Sequence, residues 1–274
     1  MIFRTTLAAL AALAFCPGAA PAPAKPDWRT IEPENLLVID TTKGRILIEL
    51  RPDAAPLAVE RVKLLTREKL YDGLAFHRVI DWFMAQTGDP GNVDGGKSSH
   101  PDLKPEFTFR RDPDQPWTLA ARPAGNVTGF VGTLPFQGLP DEARTRAADK
   151  KVSAWALHCP GVVGMGRGDD PNSANAEFYL MRQSYPALDK RYTVFGRVVS
   201  GLKTVRRLKT GEPVKDPDLM TRVRVAADLP AEERPTVEVP DNRSARFAAL
   251  VEKARSRRGA DFSPCDVEIP ARVR

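Results

Sequence analysis

Phe76-His77-Arg78-Val79-Ile80-Asp81-Trp82-Phe83-Met84-Ala85-Gln86-Thr87-Gly88-Asp89 sets one cation and one amide among large apolar groups. It reads as two short strand-like pieces joined by a tight connection. A permanently charged guanidinium beside Phe and Met is costly unless it has a dedicated partner. The arrangement fits a site that grips an apolar ligand and aims a donor at one of its atoms.

Around this run the pattern is mostly that of short strands. Residues 36–40 and 45–50 alternate on either side of Thr41-Thr42-Lys43-Gly44, a hairpin turn. Pro56 suits the first turn of a helix, Leu57, Ala58, Val62 and Leu65 follow at helical spacing, and Asp72-Gly73 ends it. Further strands are predicted over 152–157, 178–181, 193–199 and 220–226. A helix over 201–209 carries Leu202, Val205 and Leu208 on one face. Residues 108–150, rich in Gly and Pro, read as a loop insertion with a short helix over 141–150. From Pro230 a separate extension places Phe247, Leu250, Val251 and Ala254 one helical turn apart, which predicts a short amphipathic helix packed on the domain. Pattern argues for a mainly β protein, an antiparallel barrel with helices at its ends.

The 274 residues suit one large domain with extensions, and 28% charged with 42% hydrophobic residues describe a soluble globular chain. The net charge of +6 is spread rather than clustered and aromatic residues make up only 7%, which argues against a nucleic-acid reader. Arg4 is the only charge before Lys25, residues 5–15 form an apolar core, and Ala22-Pro23-Ala24 offers small residues for cleavage. That is the pattern of an export signal, residues 1–24, cut after Ala24 to leave a leader over 25–35 in a periplasmic or secreted protein. Its core is too short to remain as a membrane anchor. Lipid attachment at Cys16 is the competing reading, opposed by the bulk of Phe15. With Cys16 removed, Cys159 and Cys265 form an even pair in an oxidising compartment. A disulfide between them stands against two separate buried thiols.

The first run resembles the signature of the cyclophilin-type peptidyl-prolyl isomerases, F-H-R-[IV]-I-x-x-F-M-x-Q-x-G-D. The resemblance extends through Cys159-Pro160-Gly161-Val162-Val163-Gly164-Met165, then Pro171-Asn172-Ser173-Ala174-Asn175-Ala176-Glu177-Phe178-Tyr179. It ends in Leu188-Asp189-Lys190-Arg191-Tyr192-Thr193-Val194-Phe195-Gly196. Over residues 36–229 it implies a closed eight-stranded antiparallel β-barrel capped by two α-helices (cyclophilin-like), with a loop insertion and a short C-terminal helical extension over 230–274. It implies Arg78 as the catalytic arginine and Gln86 as the amide that holds the substrate backbone. Phe83, Met84, Tyr179 and Leu188 match the proline pocket, and Tyr192 stands where many members have histidine. Glu177 replaces a usual glutamine, an anion expected near Arg78. Gly166-Arg167-Gly168 replaces a small Ala-Asn-Ala run that contacts substrate, and Ala187 replaces the tryptophan that contacts cyclosporin.

The chemistry so implied is rotation about an X–Pro amide, for which no nucleophile, metal or cofactor is needed. The expected partners are proline-containing segments of exported proteins, and the expected state is a monomer, with no nucleic acid bound. The alternative is a binding module on the same fold that holds such segments without turnover, favoured by Glu177 and by Gly166-Arg167-Gly168. Gly91-Asn92-Val93-Asp94-Gly95-Gly96-Lys97-Ser98 satisfies a nucleotide-binding pattern, but Ser99-His100-Pro101 follows and no helix can propagate to offer its amides. His77, His100 and His158 show no metal-ligand spacing.

Overall fold

The computed structural model describes residues 1, 26–93 and 95–274, so the expected export signal after Met1, its expected cleavage point and Cys16 lie outside the described residues. Along the chain come β1 (Trp28–Thr30), β2 (Leu36–Thr41), β3 (Gly44–Leu50), α1 (Pro56–Arg67), β4 (Arg78–Val79) and β5 (Met84–Thr87). Next are β6 (Phe109–Arg111), β7 (Trp117–Ala121), β8 (Val127–Val131), β9 (Leu134–Gly138) and β10 (Val152–Ala156). The chain continues with β11 (Val162–Met165), β12 (Phe178–Met181), β13 (Val194–Ser200), α2 (Leu202–Arg206) and β14 (Met220–Val225). It finishes with β15 (Val237–Pro240), α3 (Ala245–Arg258) and β16 (Arg272–Val273).

Eight strands form the main antiparallel sheet in the order β14-β2-β3-β13-β11-β12-β5-β4. The sheet curls until its edges meet, but β4 and β14 do not pair as a ladder. Irregular backbone bonds join the seam: Phe76 N to Asp218 O at 2.9 Å, Val214 N to His77 O at 2.9 Å, and Val79 with Gly211 in both directions. Pro213 and Pro217 bring no N–H to this seam, which interrupts regular pairing there. The barrel is therefore closed by an irregular seam rather than by a continuous ladder. Inside it Ile39, Ile48, Phe76, Phe178 and Phe195 are buried together with Val62 and Leu65 of α1. The helix stops at Arg67, earlier than Asp72-Gly73, and Lys69 follows in a left-handed turn at φ 58°. Its first turn has no cap of its own. Glu106 supplies one from a distance, accepting from Leu57 N and Ala58 N at 3.0 Å each.

The insertion is not a loop. It folds as a second antiparallel sheet in the order β6-β10-β9-β8-β7, with a 3-10 turn over Asp141–Arg146 where a short helix was expected. Two of the glycines that suggest a loop are strand residues under close approach. A Cβ on Gly129 would stand 2.2 Å from Thr118 O, and one on Gly138 would stand 2.7 Å from Ser153 O. The C-terminal helix exists as predicted and packs on this second sheet. Phe247, Val251 and Ala254 bury against Ala120 and Phe130, and Phe247 meets Phe130 at 5.3 Å between rings. Leader and extension also join each other, since β15 pairs with both β1 and β16. Cys159 and Cys265 are linked by a disulfide that ties the extension to the barrel.

Candidate active site

Strand register brings the main site residues into one row. Arg78 lies opposite Gln86, Gln86 opposite Tyr179, and Tyr179 opposite Gly164, across four adjacent strands. Directly paired residues project on the same face, so these side chains stand side by side. Arg78 Nη1 donates to Gln86 Oε1 at 3.0 Å. Its Nε donates to Glu212 Oε1 at 2.5 Å, and the arginine side chain stays 26% exposed. The guanidinium is thus oriented by two acceptors while remaining open to solvent.

Beside this row Met84 and Tyr179 are buried in one apolar cluster, with Phe83, Leu188 and Tyr192 partly buried against it. Tyr179 meets Tyr192 edge-on at 5.9 Å. Burial holds the Tyr179 phenol well above its ordinary pKa, with Tyr192 and Asp189 adding to the shift, so it stays a neutral donor. A neighbouring cavity of about 550 Å³ is lined by Gly95, Arg167, Gly168, Asp169, Glu177 and Tyr192. The Arg167 guanidinium lies 4.4 Å above the Tyr192 ring and donates to Arg191 O at 3.0 Å. Every residue expected in the site therefore falls in the row, the apolar cluster or this cavity, with Gly166 lining an adjoining hollow of about 280 Å³.

Glu177 departs from expectation. It does not pair with Arg78; its Oε1 lies 2.9 Å from His77 Nε2, both side chains being buried. The register explains this, because Arg78 shares its row with Tyr179, two residues beyond Glu177. The carboxylate that meets Arg78 is Glu212, 134 positions away and outside every recognisable motif. His158, which shows no metal-ligand spacing in the sequence, likewise gains its partners from distant positions. Its Nδ1 lies 2.8 Å from Asp189 Oδ1 and its Nε2 2.9 Å from the Tyr179 hydroxyl. In the glycine-rich loop the amides of Gly91 and Gly96 turn onto the buried Asp89 carboxylate, and Lys97 pairs with Asp102 at 2.5 Å. Those groups serve the loop's own conformation.

Comparison with known proteins agrees with this fold. The family described as cyclophilin type peptidyl-prolyl cis-trans isomerase/CLD matches residues 36–227. A probable peptidyl-prolyl cis-trans isomerase of Brucella suis is 35% identical over 241 residues, covering 82% of this chain and 97% of its own length. The corresponding protein of Brucella abortus is 34% identical over the same span. The crystal structure of a cyclophilin from Hirschia baltica superimposes with a TM-score of 0.82 at 36% identity, covering 90% of this chain and 93% of that one. With a curled eight-stranded sheet and these matches over most of its length, the chain belongs to the cyclophilin-type peptidyl-prolyl cis-trans isomerases.

Proposed function

We propose that this isomerase acts on X–Pro bonds of exported proteins, with Arg78 as the donor that stabilises the twisted amide. Rotation about the peptide bond faces a barrier of about 18–20 kcal/mol because resonance must be broken. At the top of that barrier the nitrogen carries a localised lone pair. A donor aimed at it binds the twisted form better than either planar form, which is the condition for catalysis. Arg78 donates at every accessible pH, since its guanidinium keeps its protons. Gln86 and Glu212 hold two of its edges, and Phe83, Met84, Tyr179 and Leu188 offer an apolar seat for the proline ring. The observation that carries the reading is this oriented, partly exposed guanidinium beside the apolar cluster. Export is supported by the signal-like residues 1–24 and by the Cys159–Cys265 disulfide, a bond that persists in oxidising compartments.

The test is a coupled peptide isomerisation assay on protein recovered from the periplasm, with its N-terminus sequenced, beside Arg78→Ala. We expect a start near Lys25 and a loss of turnover of about 10²–10³-fold in the variant. Unchanged turnover in the variant would reject the role of Arg78, and an intact Met1 in the cytosol would reject export. The second reading, a holder of proline segments without turnover, draws on the Arg78–Glu212 contact. Peptide binding by a parent that lacks turnover would establish it.

A further inference from the structure

His158 is a buried histidine with a defined partner on each side, and the mechanism above does not use it. Asp189 Oδ1 accepts from both the backbone N–H of His158 at 2.9 Å and its Nδ1 at 2.8 Å. A carboxylate only accepts, so Nδ1 carries a proton, and in the neutral imidazole that leaves Nε2 as the acceptor. The Tyr179 hydroxyl donates to that Nε2 across 2.9 Å. To reach it the hydroxyl passes over Gly164, where a Cβ would stand 2.5 Å away. His158 also receives the backbone N–H of Tyr185 on its carbonyl at 2.9 Å. Its ring is fully buried.

Asp189 directly follows Leu188, so these bonds connect two parts of the proline pocket that lie on different segments. We propose that His158 and Asp189 are positioning residues that hold Tyr179 and Leu188, two walls of the pocket, at one spacing before substrate arrives. The inference rests on the pocket assignment made above. In a dry interior such a chain is rigid, and each rotamer frozen in advance is freedom the bound state need not surrender. Neither residue touches the amide that rotates. The tie therefore acts on binding of planar and twisted substrate alike and shows in KM rather than in kcat.

The test is kcat and KM on a short Ala-Pro peptide for His158→Phe, His158→Gln, Tyr179→Phe and the His158→Phe/Tyr179→Phe pair, with thermal midpoints measured alongside. Losing one hydrogen bond should raise KM about fivefold to tenfold in either Phe variant, with kcat within about twofold. The pair should be no worse than its worse member, and His158→Gln, whose amide oxygen can accept from Tyr179, should regain most of the affinity. Unchanged KM in Tyr179→Phe, or Phe variants whose effects multiply in the pair, would overturn the proposal. If His158→Phe does not fold, Tyr179→Phe and His158→Gln carry the decision. A parent without turnover would remove the isomerase reading instead, and the same variants compared by peptide Kd would then decide the tie.

Discussion

Gly166 and Gly164 each leave room for a large side chain on the neighbouring strand. A Cβ at 166 would stand 2.8 Å from Glu177 Oε2 and 2.9 Å from its Cγ, as one at 164 would press on the Tyr179 hydroxyl. The two apparent departures from the family pattern, glycine at 166 and glutamate at 177, therefore lie in direct contact just beyond the paired ends of β11 and β12. Gly166→Ala should cost about 1–3 kcal/mol by overpacking a filled space. Adding Glu177→Ala should restore most of that loss in a denaturant titration. A Gly166→Ala protein as stable as the parent would show that Glu177 can simply swing away. At this scale the sequence was largely readable, because Arg78, Phe83, Met84 and Gln86 sit in one contiguous run. Glu212 and His158 were not, because their importance comes from partners 134 and 21 positions away.

Among the elements, the strands expected for the main sheet fall within a residue or two of those observed, and β12 has the expected bounds, but β11 was not among them and the strand expected over 152–157 pairs in the second sheet. The insertion defeated the same method. Its strands contain Gly because neighbouring strands press on Gly129 and Gly138, and local composition cannot distinguish that from a loop. The amphipathic face of α3 was legible, but its destination was not, since a stripe of apolar residues does not name the surface that covers it. Phe247 is the centre of that contact, fully buried against Phe130. Phe247→Ala should cost about 3–5 kcal/mol by leaving a cavity. Urea unfolding checks this, and a loss under about 1 kcal/mol would mean the helix rests on the sheet without holding it.

For the whole molecule, one buried carboxylate joins three parts of the chain. Glu49 of β3 accepts from Thr133 Oγ1 at 2.6 Å, from Arg29 at 2.7 Å and from Arg51 at 3.3 Å. Arg197 of β13 donates to Thr133 O at 2.8 Å. Leader, barrel and the hairpin tip of the insertion thus meet at a single charge cluster. Gly132, at φ 59°, leaves the space that the Arg51 guanidinium fills. Burial pushes the Glu49 carboxyl up, but Arg51, Arg29 and Thr133 together outweigh it and hold the carboxyl below its ordinary pKa. Burial likewise lowers Arg197 to about 10, against the pull of Glu49. A carboxylate whose folded pKa is depressed stabilises the fold above its unfolded value, about 4.3, and that contribution fades as pH falls through the lower folded value. Glu49→Gln should cost about 3 kcal/mol near pH 7 because it strands buried cations, and its unfolding midpoint should fall less than the parent's between about pH 5 and pH 3. Equal midpoints for the two proteins at neutral pH would contradict this.

The linear order of residues was enough for the family, most strands of the barrel, the apolar pocket and the arginine beside it, because each is carried by neighbours within a few positions. Folding in three dimensions settled which carboxylate meets Arg78, what Glu177 faces, the sheet within the insertion and the surface under α3. Those outcomes depend on contacts between segments far apart in the chain, where pairing energy is shared among many partners and leaves no local pattern to read.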